Sequence, residues 1–364
     1  MIIHLIGTKA QYIKMAPVVL ECMRRGLPCS IIYTGQHSET FADLQANFGL
    51  PGPDRKLYGA GEATDRQSFI KWLREAWKNA TSPAFADIWR QAAAMVVHGD
   101  TASTLLGARV ARRFGIPLVH VEAGLRSFNY LHPFPEEIIR VMVSKQASVH
   151  CCPDEVAAGN LRRAKVKGEI FTTSGNTMLD ALRIASSGNS TAASFPRYGI
   201  FSLHRHENIF DKKRFVRALD LARQVAHVLP LKFVLHPVTL RRLQVTGHYD
   251  AMASAEGVQL VSRMDFFSFH RLLAGATVVA TDGGSNQEEC ALLNIPCAVL
   301  RRFTERPDGL GDNVLLADLE ESLILPFVGK AISDPPEPRA LPDSSPSAII
   351  VDRLQSMSAS ARVG

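Results

Sequence analysis

Short apolar runs alternate with segments of helical period along the whole chain. In the first half this pattern predicts strands at residues 2–7, 29–35, 95–100, 117–124, 148–153 and 169–175, and helices at 12–24, 69–78, 103–114 and 136–145. Because strands and helices follow one another in turn, the strands are predicted to form a parallel sheet with helices on both faces.

A small, polar and aperiodic segment divides the chain near its middle. Residues 186–194 read Ser-Ser-Gly-Asn-Ser-Thr-Ala-Ala-Ser, which favours a linker. Beyond it the alternation restarts, with predicted strands at 199–204, 233–236, 258–261, 278–282 and 296–300 and a helix at 213–229. The sequence therefore predicts two doubly wound α/β units in tandem. Such sheets bind ligands at the carboxyl ends of their strands, so we expect the site in a cleft between the units.

The C-terminal region has a different pattern. Prolines at 335, 336, 338, 342 and 346 exclude a helix or a central strand over residues 334–346. The amphipathic stretch at 348–357 is expected to pack back on the body of the protein. We predict an N-terminal domain at 1–185, a linker at 186–197, a C-terminal domain at 198–333, and a proline-rich segment with a last helix at 334–364.

Composition narrows the classes of function. The 364 residues hold 41 Lys and Arg against 35 Asp and Glu, a net charge of +6 that is spread along the chain. This mild basicity suits an anionic small molecule at least as well as a nucleic acid. Six cysteines without a CxxC pair exclude a disulfide scaffold and give no indication of zinc. No apolar run reaches the roughly 18–20 residues of a membrane helix, and the N-terminus does not resemble a signal peptide. We predict a cytoplasmic protein without a membrane or nucleic-acid partner.

Polar residues cluster where the predicted strands of the first half end. Residues 7–14 run from a strand end into a helix start and carry Lys9 and Lys14, an arrangement that suits an anion but also an ordinary surface loop. Asp100 follows a buried strand, where a helix N-cap is an alternative role. Glu122 ends an apolar strand, and a carboxylate buried there needs a partner or a function. Glu136 begins a helix after a proline, where acids often only complement the helix dipole.

The second half adds histidines and a glycine turn at corresponding places. His204 ends the predicted strand at 199–204, and His236 ends the next strand, where a structural role is the alternative. Residues 282–289 read Asp-Gly-Gly-Ser-Asn-Gln-Glu-Glu and lead into a helix, so a ligand can approach the backbone closely. Arg301 to Pro307 follow the strand at 296–300. Each cluster is a weak signal alone, but their common position at strand ends indicates one ligand site.

These motifs resemble the bacterial non-hydrolysing UDP-N-acetylglucosamine 2-epimerases. The matching stretches are Lys-Met-Ala-Pro at 14–17, Thr-Gly-Gln-His at 34–37, Gly-Asp-Thr at 99–101, His-Val-Glu-Ala-Gly-Leu-Arg at 120–126, Pro-Glu-Glu at 135–137, Ser-Gly-Asn-Thr at 174–177, His-Arg at 204–205, Gln-Glu-Glu at 287–289 and Thr-Glu-Arg-Pro at 304–307. The resemblance implies two Rossmann-like, GT-B-like domains, a homodimer, and interconversion of UDP-GlcNAc and UDP-ManNAc for surface polysaccharide precursors. It implies no cofactor and no metal.

The resemblance also assigns roles to single residues. The chemistry it implies is elimination of UDP to a 2-acetamidoglucal, followed by re-addition. The positions implied to be catalytic are Asp100, Glu122, Glu136 and His204. Those implied to bind substrate are Lys9, Lys14, His37, Arg126, Arg140, His236, Phe269, Gly283, Gly284, Ser285, Glu289 and Arg306.

Four places depart from the family pattern. Lys9 stands where the family has arginine. Lysine keeps the positive charge but cannot make the bidentate contact that a planar guanidinium makes with a phosphate. Ser285 lies two residues later than the family's hydroxyl, and His236 replaces an asparagine. Residues 58–62 do not match the segment that helps to bind an activating UDP-GlcNAc in some members. We therefore expect hyperbolic rather than sigmoidal kinetics.

Several other functions are compatible with the sequence. A hydrolysing 2-epimerase or an epimerase of a modified UDP-sugar would use similar residues. A GT-B glycosyltransferase shares the architecture but needs an acceptor groove, and a nucleotide-sugar binding protein would keep the site without turnover.

Overall fold

The computed structural model describes residues 1–37, 41–61, 65–130, 134–187, 197–304 and 306–363. The chain forms two compact units. Unit 1 comprises Met1–Ile184 and Asp343–Gly364, and unit 2 comprises Ala185–Pro342. Among the described residues, no helix combines the length and the apolar character needed to cross a membrane.

Unit 1 is built on a seven-stranded parallel sheet in the order β3-β2-β1-β4-β5-β6-β7. Its strands are β1 (Ile2–Ile6), β2 (Cys29–Tyr33), β3 (Arg55–Lys56), β4 (Ala94–His98), β5 (Leu118–Val121), β6 (Val149–Cys152) and β7 (Glu169–Thr172). The helices between them are α1 (Lys9–Arg24), α2 (Phe41–Phe48), α3 (Arg66–Ala80), α4 (Pro83–Arg90), α5 (Ala102–Phe114), α6 (Glu136–Ser144), α7 (Glu155–Arg163) and α8 (Met178–Ser186).

Local sequence explains where the helices beside the site begin. The Thr8 hydroxyl accepts a hydrogen bond from the Gln11 N–H and caps α1. Thr101 and Thr104 form a capping box at the start of α5, which ends at Gly115 in the left-handed conformation. Both helices therefore start directly after a strand, with their N-termini at the carboxyl end of the sheet.

Unit 2 repeats the design with a six-stranded parallel sheet in the order β10-β9-β8-β11-β12-β13. Its strands are β8 (Gly199–Leu203), β9 (Leu231–Leu235), β10 (Val258–Ser262), β11 (Val278–Thr281), β12 (Cys297–Val299) and β13 (Val314–Leu316). Its helices are α9 (His206–Ile209), α10 (Lys212–Val228), α11 (Pro237–Val245), α12 (Tyr249–Ala253), α13 (Phe266–Ala274), α14 (Gly284–Leu293) and α15 (Glu321–Ser333). Apolar clusters cover both faces of this sheet.

The chain ends in α16 (Pro346–Val363), which packs on α1 of unit 1. The Ser347 N–H donates to Asp180 at 2.8 Å, and Arg353 pairs with Glu169. Residues 334–345 form no helix or strand, as predicted, but Pro346 begins α16 rather than preceding it. Proline is tolerated there because the first N–H groups of a helix have no partner within the helix.

In each sheet the strand order reverses once. Strands β1 to β3 extend one way and β4 to β7 the other, so the reversal lies between β1 and β4. In unit 2 it lies between β8 and β11. The loops after these strands diverge to opposite faces of the sheet and leave a crevice, the usual ligand position in such folds. The predicted clusters at 7–14, Asp100, His204 and 282–289 follow these four strands. Those at Glu122, His236 and 301–307 follow the neighbouring strands β5, β9 and β12.

The predicted strands are confirmed, although several end earlier than the apolar runs suggested. The run at 117–124 forms β5 only to Val121, because Glu122 (φ 60°) and Gly124 (φ 88°) turn the backbone into the left-handed region. At the predicted linker, α8 continues to Ser186, and residues 188–196 lie outside the described part of the chain.

Candidate functional site

Gln11 joins the two loops at the strand reversal of unit 1. Its side chain is buried, and its Oε1 accepts the Gly7 N–H at 2.9 Å. Its Nε2 donates to the His98 carbonyl at 2.7 Å and to the Thr101 and Thr104 hydroxyls, each at 2.9 Å. The loop after β1 is therefore fixed against the loop after β4 by bonds to backbone groups and to the two threonine hydroxyls.

Glu122 lies at the centre of the buried charges of unit 1. Its side chain is 6% exposed, and Lys14 Nζ donates to Oε1 at 2.9 Å. His98 Nε2 lies 3.0 Å from Oε2. Lys14 is only 2% exposed, so each charge depends on the other for compensation. The structure thus places two of the predicted residues, Lys14 and Glu122, in contact with each other and adds His98.

Asp100 is held by a second charged network. Arg140 donates from Nε to Asp100 Oδ2 at 2.8 Å, and its Nη1 lies 3.5 Å from Glu137 Oε2. Glu137 is fully buried and accepts from Arg126 Nε at 2.5 Å and from the Ser127 and Phe128 N–H groups at 3.0 and 3.2 Å. Glu137 therefore connects the loop after β5 to the arginine that orients Asp100.

The ionisation of Glu137 follows from these contacts. Burial by itself raises the pKa of a carboxyl group, but the Ser127 N–H and the Arg126 and Arg140 guanidiniums outweigh it and hold the pKa of Glu137 below its ordinary value. Glu137 is therefore ionised across the physiological range, and its role is to organise its neighbours.

Glu136 differs from its neighbour on α6. Its side chain is partly buried, and its Oε2 is inaccessible and makes no hydrogen bond within the described part of the chain. A buried carboxylate oxygen of this kind is costly unless a ligand or a proton satisfies it. Glu136 is thus a carboxylate that can exchange a proton without first breaking an ion pair to a described residue.

His120 supports the turn that carries Asp100. Burial lowers the pKa of His120 to about 3, so its ring is neutral. His120 Nε2 lies 2.8 Å from the Gly99 carbonyl, which can only accept, so the ring proton is on Nε2. The motif at 120–126 therefore contributes a structural histidine and the buried, ion-paired carboxylate of Glu122.

Lys9 and His37 lie at the same edge of unit 1. Lys9 is the first residue of α1 and is partly buried. The His37 N–H donates to the Gly7 carbonyl at 2.9 Å, which brings the loop after β2 to the start of α1. Both predicted substrate-binding residues thus flank the N-terminus of α1.

Asp282 organises the strand reversal of unit 2. It is fully buried, and its carboxylate accepts from the His204 and Arg205 N–H groups at 2.9 and 3.0 Å and from Asn208 Nδ2 at 3.0 Å. His204 Nδ1 lies 3.3 Å from Asp282 Oδ1, while the His204 ring remains 32% exposed. The aspartate that follows β11 therefore positions the histidine that follows β8.

Two glycines at the N-terminus of α14 would allow a ligand to approach the backbone closely. A Cβ on Gly283 would lie 2.7 Å from His204 Cε1, and one on Gly284 would lie 3.1 Å from Arg306 Nε and 3.7 Å from Arg205 Nη2. Ser285 follows in the first turn and is partly buried. Glycine is required here because two guanidiniums and an imidazole crowd the helix start, which itself attracts anions.

Arg306 is fixed in place by α14. Its Nη1 donates to Glu288 Oε2 at 3.0 Å. Gln287 Nε2 donates to the Arg306 and Asp308 carbonyls at 3.0 and 3.1 Å, and Gln287 Oε1 accepts from the Thr304 hydroxyl at 2.9 Å. Glu289, the predicted ligand residue, is buried on the same helix. The motif at 287–289 thus anchors the loop that carries Arg306.

Two other predicted residues lie on neighbouring helices. His236 is the N-cap of α11, and its ring centroid lies 5.5 Å from that of His204. Phe269 lies on α13 and is partly buried against an apolar cluster that includes Val279 of β11. Within the described part of the chain, no group of three His, Cys, Asp or Glu side chains is arranged to hold a metal ion.

Comparison with known proteins agrees with this geometry. The family model described as UDP-N-acetylglucosamine 2-epimerase matches residues 21–345. The chain is 32% identical over 336 residues to the UDP-N-acetylglucosamine 2-epimerase of Methanocaldococcus jannaschii, with 88% of this chain and 89% of that protein covered. It is 30% identical over 349 residues to the Bacillus subtilis enzyme of the same name, with 93% and 89% covered. The chain belongs to the UDP-N-acetylglucosamine 2-epimerase family.

Solved structures of this family share the fold of the chain. The M. jannaschii UDP-GlcNAc 2-epimerase in complex with UDP-GlcNAc and UDP matches with a TM-score of 0.81 at 28% identity, covering 98% of this chain and 99% of that one. The Neisseria meningitidis UDP-GlcNAc 2-epimerase bound to UDP-GlcNAc gives a TM-score of 0.82 at 26% identity with the same coverage. The predicted family, the two Rossmann-like domains and the isomerase class are confirmed.

The strand ends contain further residues that the sequence did not single out. His98, Glu137, Asp282 and Glu288 contact predicted residues, whereas Gln11 contacts His98 and the two capping threonines of α5. Asp282 and Glu288 stood inside quoted motifs, and Glu137 lay beside Glu136, so position could have suggested them. No local signal distinguishes Gln11 or His98, because their partners are distant in sequence.

Proposed function

We propose that the chain interconverts UDP-GlcNAc and UDP-ManNAc by eliminating UDP and adding it back. The observation that supports this most directly is the division of charge between the two units. Unit 1 carries carboxylates and their partners at its strand reversal, whereas unit 2 carries a glycine-rich helix N-terminus with two guanidiniums and an imidazole. The relatives solved with UDP-GlcNAc and UDP bound supply the ligand.

The reaction needs both kinds of group. The C2–H of the sugar is not adjacent to a carbonyl, so direct proton removal is unfavourable. When the C1–O bond to UDP breaks, its electron pair leaves with the diphosphate, and positive charge at C1 acidifies the C2–H. A carboxylate takes that proton as the C1–C2 double bond forms, and protonation of the glucal at C2 from the opposite face, with return of UDP to C1, gives the epimer.

In this proposal Asp100, Glu122 and Glu136 carry the proton transfers. A proton leaves C2 on one face of the sugar and is returned on the opposite face, so a single carboxylate is not enough. Glu136 is suited to exchange a proton because its buried oxygen has no hydrogen-bond partner in the described part of the chain. Asp100 is oriented by Arg140, and Glu122 by Lys14 and His98. Lys9, His37 and Arg126 complete the substrate-binding set of unit 1.

Unit 2 holds the UDP in this proposal. The N–H groups at Gly283, Gly284 and Ser285 and the side chains of His204 and Arg306 stabilise the negative charge that develops on the leaving diphosphate. His236 lies beside His204, and Phe269 and Glu289 are assigned to the uridine part. Stabilisation of a leaving group matters most in the transition state, where its charge is largest.

Solvent exchange tests the proposal. Incubation with UDP-GlcNAc in D₂O, followed by NMR, should place deuterium at C2 of both UDP-GlcNAc and UDP-ManNAc with the sugar still attached to UDP. The amide variants Asp100→Asn, Glu122→Gln and Glu136→Gln should each lower the exchange rate by about 10²–10⁴-fold and retain UDP binding. Release of free ManNAc and UDP would instead indicate a hydrolase, and absence of exchange would indicate a transferase or a binding protein.

We also propose that the chain is a homodimer that associates through α3. Ile70, Leu73 and Trp77 are 57%, 39% and 36% exposed and recur at helical spacing along one side of α3. Such a stripe is costly to leave in water and is typical of an interface. Leu73→Glu should shift the mass measured by light scattering toward the monomer, whereas Val156→Glu, at a residue 72% exposed in the same unit, should not. Equal masses for both variants would contradict the α3 interface.

A further inference from the structure

Two imidazoles face each other at the phosphate-binding end of unit 2. The ring centroids of His204 and His236 are 5.5 Å apart, with an angle of 33° between the ring planes. His204 flanks Gly283 at the start of α14. His236 is exposed, so its ring is accessible to a ligand at the same place.

The position of His236 is fixed by the fold. The Thr239 hydroxyl donates to the carbonyl of Leu203, the residue before His204. The Thr239 N–H donates to the His236 carbonyl at 2.9 Å. The first turn of α11 is thereby tied to the end of β8, which places the backbone of His236 beside that of His204.

His236 is also a departure from the family pattern, which has asparagine at this position. As the N-cap of the nine-residue helix α11, His236 makes no side-chain hydrogen bond to the helix. A positive charge at a helix N-terminus is disfavoured because the helix dipole is positive there. An anion bound between the ring and the helix N-terminus interacts favourably with both, and it therefore stabilises the protonated ring. Imidazole is the side chain whose charge changes between pH 5 and 8.

Other charged groups around this pair are already engaged or are fixed in charge. The Asp282 carboxylate accepts from the His204 and Arg205 N–H groups and from Asn208. Arg306 pairs with Glu288, and Glu207 lies 3.5 Å from Arg301. The charged groups with contacts at this place are Asp282, whose Oδ1 lies 3.3 Å from His204 Nδ1, and the Arg205 and Arg306 guanidiniums beside Gly284.

We propose that His236 binds the diphosphate of the UDP-sugar in its protonated form and makes the affinity of unit 2 for UDP depend on pH. This inference rests on the proposed function, since it assumes that unit 2 holds UDP. Binding of the diphosphate favours the proton on His236, so protons are taken up on binding and affinity increases as pH falls from 8 to 6. For one exposed charge pair we expect the His236 contribution to be about two- to fivefold in Kd over that range.

Calorimetric titration of UDP at pH 6, 7 and 8 tests the inference. The terminal phosphate of UDP itself takes up a proton with a pKa of about 6, so the inference is tested by the difference in pH dependence between variants and wild type with the same ligand. We expect the ratio of Kd at pH 8 to Kd at pH 6 to be two- to fivefold smaller in His236→Asn than in wild type. Titrations in buffers of different ionisation enthalpy should also show that His236→Asn takes up fewer protons on binding UDP. His236→Lys should bind tightly at both pH 6 and pH 8. His227→Asn, which changes an exposed histidine of α10, should resemble wild type.

The outcomes separate this inference from the proposed function. If His236→Asn and wild type show the same pH dependence and the same proton uptake, the role of His236 is refuted while UDP binding by unit 2 stands. If wild type does not bind UDP at any of the three pH values, the proposed function fails and this inference fails with it.

Discussion

Glu137 should be a stability residue whose loss also impairs turnover, in contrast to its neighbour Glu136. It is fully buried and receives four N–H donors, from Arg126, Arg140 and the backbone at residues 127 and 128. In Glu137→Gln one oxygen becomes an NH₂ group of nearly the same shape. Whichever way the amide turns, donors then face donors, Arg126 loses the Glu137 carboxylate, and Arg140 keeps its pair with Asp100.

The expected magnitude follows from burial. Removing one partner of a buried ion pair costs about 3–5 kcal/mol. Because the Arg126 and Arg140 side chains remain 14% and 10% exposed, water can compensate part of this loss. We therefore expect the free energy of unfolding of unit 1 to fall by about 2–4 kcal/mol, which corresponds to a decrease in melting temperature of roughly 5–15 °C for a unit of this size. Turnover should fall by about 10–100-fold, because Arg140 no longer holds Asp100 in one orientation.

The assay is thermal unfolding by circular dichroism, measured together with initial rates and UDP titration. Glu136→Gln is the matched control, since it makes the same chemical change one residue away. It should shift the melting temperature by only a few degrees while reducing turnover by about 10²–10⁴-fold. The pKa of Glu137 is held below its ordinary value, so its stabilising contribution is present above about pH 4.5 and is lost as pH falls through the lowered value. The melting temperatures of wild type and Glu137→Gln should converge in acid. Equal thermal losses in both variants would refute the reasoning.

Three further predictions concern other parts of the molecule. A methyl group at Gly284 would lie 3.1 Å from Arg306 Nε, so Gly284→Ala should weaken UDP by roughly tenfold in calorimetry, whereas Gly329→Ala, with open space around it, should not. Burial lowers the pKa of His4 from 6.5 to about 4, and neither ring nitrogen has a hydrogen-bond partner among the described residues. The unfolded chain therefore binds the extra proton between pH 6.5 and 4, and His4→Leu should melt higher than wild type at pH 5 and lose less stability in acid. Because residues 58–62 lack the activator motif, initial rates should depend hyperbolically on UDP-GlcNAc, and a sigmoidal curve would contradict this.

The alternation of strands and helices could be predicted because it depends on local pattern. Strands such as β4 and β8 are fully buried and mostly apolar, and polar residues follow directly where the chain leaves the sheet. The positions of Asp100, Glu122 and His204 at strand ends therefore needed no tertiary information. Short elements such as β3, which has two residues, carry too little pattern to be found in the same way.

The partners of these residues could not be predicted, because they depend on which face of each helix packs inward. Glu136 and Glu137 are adjacent acids with the same local signal. A rotation of about 100° per residue turns one of them toward Arg126 and Arg140 and leaves the other without those contacts. Similarly, His98 and Gln11 are polar residues at the end of a strand and at the start of a helix, and their contacts span more than 20 residues.

The distribution of buried charge argues that both strand reversals were shaped by function rather than by stability. Lys14 with Glu122 and Arg306 with Glu288 are pairs in which at least one member is almost fully buried. Replacing such a pair by apolar residues is often neutral or stabilising, so a buried ion pair contributes little to the free energy of unfolding. A preorganised site, by contrast, needs charges held in fixed positions with their solvation already removed. Such pairs at the strand reversals are therefore better explained by binding of a charged substrate than by stabilisation of the fold.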